Sequence, residues 1–225
     1  IDKLIEAQKF RKSITWLIVL VFGFSMQVFA GHMQIALYLI GAALAYAGYR
    51  IWQLQGRRGK TIVWMLLGTA AFILVTSIQW LPMMKLVIES GRIAEGEGWL
   101  REGWFIPWQH LAQFLAPDFF GNPTTLNYWG VWNYGELVGY IGVVPLLFAL
   151  FALLKRNSKD SIFWAGVGIV ALLFALPTPL AKLPYQMRLA VLSSLQPTRL
   201  MVVLDFSLVM LAAIGFDRWL RKKEG

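Results

Sequence analysis

The side chains best suited to chemistry lie in two stretches between apolar segments, residues 82–136 and 177–199. These stretches combine large aromatic rings with carboxylates and guanidinium groups, and the ionisable candidates are Glu89, Asp118, Glu136, Arg92, Arg188 and Arg199. Guanidinium groups can neutralise a phosphate, carboxylates can accept a hydroxyl proton or hold sugar hydroxyls, and aromatic faces can cover a sugar ring. Such a mixture suits a phosphorylated lipid that carries a sugar.

Two ionisable residues near the last apolar segment are candidates on different grounds. Arg199 precedes that segment, at the level of lipid phosphates, and could contact a phosphate or only extend its guanidinium to the membrane surface. Asp205 is the one acid inside a predicted span, about 9 Å deeper along a helix. A carboxylate at that depth is expected to be functional, although it could instead be a buried hydrogen-bonding partner for another helix.

Three further polar residues have both a functional and an ordinary interpretation. His32 and Gln34 follow a turn so short that they lie at the membrane surface or just below it, where they could line a cavity or face headgroups. Asp118 stands beside Pro117 and could form a local turn instead of binding a ligand. The sequence has no cysteine, no phosphate-binding glycine loop, no paired-histidine zinc motif and no nucleophile elbow, so we predict no cofactor and no metal site.

The composition predicts the elements that must position these residues. Hydrophobic residues make up 58% of the chain, against roughly 45–50% in a soluble domain. A helix needs about 20 mostly apolar residues to cross a bilayer. The sequence therefore predicts an all-α, polytopic membrane bundle, residues 1–225 forming a single transmembrane domain with about six spans at 14–30, 33–49, 61–81, 137–154, 162–176 and 200–216.

The distribution of charge predicts the orientation of these spans. The net charge is +9, and its pattern fits a membrane and not nucleic acid. With a cytoplasmic N-terminus, fifteen of the 21 basic residues fall on the cytoplasmic side and six on the outer side, while six of the twelve acids fall outside. This asymmetry follows the positive-inside rule and places both ends of the chain in the cytoplasm.

The long outer stretch, 82–136, is predicted to contain a short helix that begins at Pro107 and lies along the outer leaflet. Its apolar residues recur at helical spacing opposite its polar residues, the two sets being Trp108, Leu111, Ala112 and Leu115 against Gln109, His110 and Gln113. Because no disulfide is possible, packing alone must order this stretch. The chain begins at Ile1 without methionine and shows no cleavage site, so we predict no signal peptide and interpret it as an internal piece of a larger protein.

The order of several short motifs resembles the bacterial YfhO family of membrane proteins, which look like GT-C glycosyltransferases that use polyprenyl-phosphate sugars. The motifs are GHMQ at 31–34, QWLP at 79–82, ESGR at 89–92, APDFFG at 116–121, YIG at 140–142 with Pro145, and QPTR at 196–199. The resemblance implies a GT-C-like bundle in the bacterial cytoplasmic membrane, where an acceptor hydroxyl attacks a lipid-linked sugar on the outer face. The acceptor would be a cell-envelope polymer or lipid.

The same resemblance suggests roles for individual residues. Arg199 would hold the lipid phosphate, and Asp118, Glu136, His32 and Gln34 would contact the sugar or the acceptor; Arg92 and Asp205 complete the set of substrate-binding candidates. GT-C enzymes usually carry their catalytic acid in the first outer loop. The first outer turn here, at 31–32, has no carboxylate, so the catalytic residue is unknown and is expected upstream.

Two other functions remain open from the sequence. A transporter or flippase for a lipid-linked envelope precursor would also use an intramembrane carboxylate such as Asp205. A non-catalytic membrane scaffold is the third possibility. No internal repeat, which many transporters show, is evident in the sequence.

Overall fold

The computed structural model describes residues 1–7, 9–56, 58–89, 98–154, 158–189 and 192–223. Within these ranges the chain is all-helical and has no β-strand, which confirms the predicted class. The α-helices are α1 (Asp2–Glu6), α2 (Phe10–Phe29), α3 (Met33–Gln53), α4 (Arg58–Glu89), α5 (Tyr134–Leu137), α6 (Val143–Leu154), α7 (Lys159–Ala175), α8 (Pro179–Gln186) and α9 (Met201–Lys223). Turns of 3-10 helix occur at Gly98–Leu100, Trp108–Phe114, Pro123–Thr125, Leu192–Ser194 and Pro197–Leu200.

Not all six predicted spans have helices of membrane-crossing length. Those long and apolar enough in the described chain are Phe10–Phe29, Met33–Gln53, Arg58–Leu86 and Pro197–Arg221, which match the first, second, third and sixth predictions. Helices α6 and α7 meet the criterion only as a pair, bent by 118°. Their 12 and 17 residues rise only about 18 and 26 Å, short of a roughly 30 Å hydrocarbon core. The structure thus supports a membrane protein with four candidate spans, or five if α6 and α7 form one bent span.

Three predicted boundaries differ by six or more residues from the helices observed, and one of them is the end of the sixth span, predicted at Phe216, where α9 continues to Lys223. The third span was predicted to end at Leu81, but α4 continues through Pro82 to Glu89. The fourth was predicted to begin at Leu137, whereas α6 begins at Val143. Gly142 precedes α6 with a φ of 95°, a conformation that glycine adopts without a Cβ clash and that ends the preceding extended stretch.

The chain divides into two compact units, Ile1–Ala94 and Glu95–Gly225, which are described separately. In the first unit α2 packs on α4, where Gly68 leaves room for the side chain of Leu17: a Cβ on Gly68 would lie 2.9 Å from Leu17 Cδ1. The short α1 is held to α3 by an ion pair of 2.9 Å between Asp2 Oδ1 and Arg50 Nε. Long apolar helices therefore dominate this unit.

The second unit is built on α6, α7 and α9. Gly215 on α9 lies so close to α6 that a Cβ would be 2.0 Å from the Phe148 carbonyl oxygen. At the C-terminal end of α9, Arg218 joins the three helices by donating to the Ala152 carbonyl at 3.2 Å and to Ser161 Oγ at 3.1 Å. At the other end α9 begins at Met201, two residues after Arg199. We call this the Arg199 end of the unit.

Candidate functional site

Glu136 lies at the centre of a polar cluster at the Arg199 end. Its Oε2 accepts hydrogen bonds from Gln196 Nε2 at 2.7 Å and from Thr198 Oγ1 at 3.2 Å, and its Oε1 pairs with Arg199 Nη2 at 3.4 Å. Glu136 belongs to α5, and its partners belong to the QPTR motif just before α9. Residues separated by about 60 positions in the sequence therefore form one site.

The local structure of the QPTR motif explains why its side chains reach Glu136. Pro197 starts a 3-10 turn that leads directly into α9, and proline suits that first position because its φ is already helical and no N–H is needed. Thr198 is fully buried, which fixes the turn against the bundle. The side chains of Glu136 and Arg199 keep 26% and 27% of their exposure, so the ion pair is partly open to its surroundings.

The cluster joins Glu136 to an amide, a hydroxyl and a guanidinium, so it combines two hydrogen bonds with an ion pair. At about one-quarter exposure the ion pair contributes on the order of 1 kcal/mol, because solvent screens part of the attraction. Its main effect is therefore geometric: Glu136 holds the Arg199 guanidinium at the start of an apolar helix.

Asp118 forms a second polar group next to this cluster. Its Oδ1 accepts from the Tyr134 hydroxyl at 2.6 Å and from Asn122 Nδ2 at 3.0 Å. The hydrogen bond from Tyr134 to Asp118, with smaller contributions from burial and the Asp118 charge, raises the pKa of Tyr134 above its ordinary value. Asp118 is thus both a local turn residue, through Asn122, and the partner of a tyrosine two positions before Glu136.

A buried histidine orders the segment that carries these residues. His110 and Gln113 are both fully buried, and their side chains meet with 2.6 Å between Nδ1 and Oε1. The Val131 amide donates to His110 Nε2 at 3.3 Å, so both ring nitrogens of His110 have a hydrogen-bonding partner. Gln113 Nε2 in turn donates to the Pro117 carbonyl at 2.9 Å. Every polar atom of this pair lies within reach of a partner.

Two contacts dock the same segment on the helices. The Ile106 amide donates to the Ala175 carbonyl at the end of α7, at 2.9 Å. The ring of Phe114 lies over Gly139, where an added Cβ would be 2.7 Å from the ring and 2.4 Å from the sulfur of Met201. The segment therefore covers the Arg199 end of the unit.

Aromatic packing joins the segment to the second outer stretch. The ring of Tyr185 on α8 contacts Trp99, Trp104 and Phe105 with centroid distances of 5.9, 6.1 and 5.6 Å. The Tyr185 hydroxyl also donates to the Leu195 carbonyl. Residues 99–105 of the first stretch and α8 of the second are therefore packed together within this unit.

The remaining candidates do not join this cluster. Asp205 lies on α9, and its Oδ1 is buried without a hydrogen-bond partner among the described residues. His32 caps α3 by accepting from the Ile35 amide at 3.4 Å, and Gln34 Nε2 donates to the Tyr38 hydroxyl at 3.0 Å; both belong to the first unit. Arg92 falls outside the described residues.

Sequence reasoning missed several members of the site. The roles of Gln196 and Thr198 were not assigned, although the QPTR motif contained them. Tyr134 was seen only as an aromatic residue of the outer stretch. His110 and Gln113 were placed on the polar face of an α-helix, whereas Trp108–Phe114 is a 3-10 helix and both are buried.

No group of three or more side chains able to hold a metal ion occurs in the part of the chain that the structure describes. Comparison with protein-family models, with curated proteins and with solved structures gives no significant match. The case for a function therefore depends on the geometry of the Arg199 end and on the motifs in the sequence.

Proposed function

We propose that this chain is part of a GT-C-type glycosyltransferase of the bacterial cytoplasmic membrane, which transfers a sugar from a polyprenyl-phosphate carrier to a cell-envelope acceptor on the extracytoplasmic face. The observation that supports this most is the Glu136–Arg199 cluster, a partly exposed guanidinium held at the start of a membrane-length helix. Such a position suits the phosphate of a lipid whose chain lies in the bilayer. The proposal includes six crossing segments, with α6 and α7 as two short ones.

In the proposed reaction the acceptor hydroxyl oxygen attacks C1 of the sugar. The bond between C1 and the phosphate oxygen breaks, the carrier leaves as polyprenyl phosphate, and the hydroxyl proton passes to a general base outside the cluster. Arg199 binds the phosphate and stabilises the charge that develops on it as the bond breaks. Glu136 is a positioning residue, and Asp118 with Tyr134 provides hydrogen-bonding groups for the sugar or the acceptor.

The test replaces Arg199 in the full-length protein and follows sugar transfer from a polyprenyl-phosphate donor. Arg199→Ala removes a charge-assisted phosphate contact, and we expect kcat/KM to fall about 100-fold. Arg199→Lys should recover part of that loss, because lysine restores the positive charge but cannot form the bidentate contact of a guanidinium with a phosphate. Lys182→Ala, a basic residue of the same unit outside the cluster, is the matched control. Equal transfer by wild type and Arg199→Ala would contradict the proposal.

A second candidate, transport of a lipid-linked precursor, is favoured by Asp205. Its buried Oδ1 has no partner in the described chain, as expected for a carboxylate that binds a proton or a cargo group part of the time. The assay above separates the two functions. Movement of the lipid-linked sugar across a vesicle membrane without transfer to any acceptor would favour transport.

A further inference from the structure

Residues 98–136 expose many large apolar side chains while burying two polar ones. His110 and Gln113 are 0% exposed, whereas Leu126 and Trp132 are 92% and 80% exposed. The large apolar residues at least half exposed within this range, besides Leu100, form what we call the apolar surface: Trp108, Leu115, Phe119, Leu126, Trp129 and Trp132. Several large exposed apolar side chains in one short segment mark a surface that contacts something other than water.

The 3-10 helix Trp108–Phe114 shows how two polar side chains are buried while neighbouring apolar ones stay exposed. Side chains three residues apart share one face of a 3-10 helix. His110 and Gln113 therefore point inward together, to the Val131 amide and the Pro117 carbonyl. Trp108 and Leu115, at the two ends of the helix, remain exposed. The side chains of His110 and Gln113 are hydrogen-bonded within the protein, whereas those of Trp108 and Leu115 face the surroundings.

The turn at 118–129 exposes large apolar side chains beside polar ones that bond to one another. Asn127 Oδ1 accepts from the Asn122 amide at 2.9 Å and from Thr125 Oγ1 at 2.7 Å, so the polar side chains bind one another. Leu126 lies at the exposed tip with a φ of 56°, a left-handed conformation that is unfavourable for a leucine. Phe119 and Trp129 both contact the ring of Phe120, at 5.1 and 4.7 Å. An exposed leucine held in this way contributes nothing to the core.

Charge and position indicate what covers the apolar surface. Between residues 103 and 135 the sequence contains one charged side chain, Asp118, and the structure pairs it with Tyr134. The segment also lies against the ends of apolar helices, because Ile106 bonds to the last residue of α7, and Phe114 packs on Gly139 together with Met201, the first residue of the membrane-length helix α9. An uncharged surface rich in tryptophan at the ends of such helices matches the interface of a bilayer.

We infer that the apolar surface is inserted in the headgroup region of the lipid bilayer, so that residues 108–132 form a membrane-embedded platform at the Arg199 end. Insertion keeps the Glu136–Arg199 cluster at the level of lipid phosphates. The occupant is lipid, and neither a sugar nor a protein partner is needed to explain the exposure. This inference does not depend on the proposed enzymatic activity.

Single-cysteine labelling tests the inference, since residues 1–225 contain no cysteine. The variants Leu126→Cys, Leu115→Cys and Trp108→Cys are made in the full-length protein, labelled with an environment-sensitive fluorophore and reconstituted in vesicles of phosphatidylethanolamine and phosphatidylglycerol. Glu102→Cys, an exposed polar position of the same unit, is the matched control, and labelled wild type gives the background. Each variant must elute as a folded monodisperse species before it is compared.

Quenching by nitroxide-labelled lipids and by aqueous iodide reports the environment of each position. We expect lipid quenching at the three apolar positions to exceed that at Glu102 by at least about threefold, with the order reversed for iodide. Iodide quenching at the apolar positions equal to that at Glu102 would overturn the inference in favour of a water-exposed surface, such as one that binds sugar. Protection from both quenchers would also overturn it, because it would show that protein covers the surface.

Discussion

Helices α2 and α4 of the first unit and the Arg199 end of the second satisfy their polar side chains in different ways. In α2 and α4 the hydroxyls of Thr15, Thr69 and Thr76 bond to carbonyls four residues earlier in the same helix. At the Arg199 end, Glu136 reaches partners about 60 positions away, and His110 reaches Val131. The local bonds remove the cost of placing a hydroxyl in lipid but specify no tertiary structure.

This difference explains where a site can form. A side chain bonded to its own helix can be removed with little effect on its neighbours. A side chain bonded across the fold places groups from distant segments at fixed distances, which both substrate binding and catalysis require. The two regions should therefore respond very differently to substitution.

The largest difference in stability is expected between two glycine substitutions, one at a close helix contact and one in open space. Gly215→Ala places a Cβ 2.0 Å from the Phe148 carbonyl oxygen, so α6 and α9 must separate, and we expect a loss of about 2–4 kcal/mol in the free energy of unfolding. The matched change Gly23→Ala in α2 meets nothing within 4 Å and should change stability by less than about 1 kcal/mol, in the favourable direction of helix propensity.

Unfolding of both glycine variants of the full-length protein in mixed detergent micelles measures this difference. A Gly215→Ala variant as stable as Gly23→Ala would show that α6 and α9 do not pack as described. In that case the second unit would lack the close helix contact that distinguishes Gly215 from Gly23 in α2.

The sequence predicts the long helices well because an apolar run of about 20 residues has few alternatives in a membrane protein. Helices α2, α3, α4 and α9 therefore appear where predicted. The ends are less predictable: Pro82 does not stop α4, since a helix can continue through a proline when the lost hydrogen bond is tolerated. The short α6 and α7 also depend on packing against α9, which an apolar run does not reveal.

The site is harder to predict for two physical reasons. The sequence pattern places His110 and Gln113 on one face, because residues three apart are neighbours in α- and 3-10 helices alike, but it does not show that this polar face is the buried one. The partners of Glu136 and His110 are distant in sequence, so no local pattern pairs them. The sequence analysis named both Arg199 and Glu136 as candidates, but no pattern in the sequence showed that the two side chains pair.

Replacing the buried His110 is expected to have an intermediate effect on stability. His110→Ala leaves the Val131 amide and the Gln113 side chain without their partner, and we expect local stability to fall by about 2 kcal/mol, or roughly 30-fold faster hydrogen exchange at the Val131 amide. Thr76→Val is the control in α4, because Thr76 bonds only to its own helix at Phe72 and valine keeps its shape; its cost should stay below about 1 kcal/mol.

Hydrogen–deuterium exchange with peptide resolution, on the full-length protein, measures both variants. Unchanged exchange around residue 131 in His110→Ala would mean that the histidine does not order the segment. Equal losses in the two variants would remove the distinction between local and long-range hydrogen bonds.

The smallest effect on stability is expected from replacing Tyr134, which donates to Asp118 at 2.6 Å at the exposed edge of the site. This hydrogen bond raises the pKa of Tyr134 in the folded protein, so the neutral phenol is the stabilising form. The contribution is fully present below the unfolded pKa of about 10 and is lost as the pH rises through the higher folded pKa. Tyr134→Phe should therefore destabilise the protein slightly at neutral pH and not at all at strongly alkaline pH.

Thermal unfolding of wild type and Tyr134→Phe between neutral and strongly alkaline pH measures this difference. The exposed Tyr140, replaced in the same way, is the control for the loss of a tyrosine hydroxyl elsewhere in the unit. A gap between wild type and Tyr134→Phe that stays constant at all pH values would show that the phenol proton is not shared with Asp118. Asp118 would then act only in its local turn with Asn122, and the cluster would reduce to Glu136 and the QPTR motif, the part built entirely from long-range contacts.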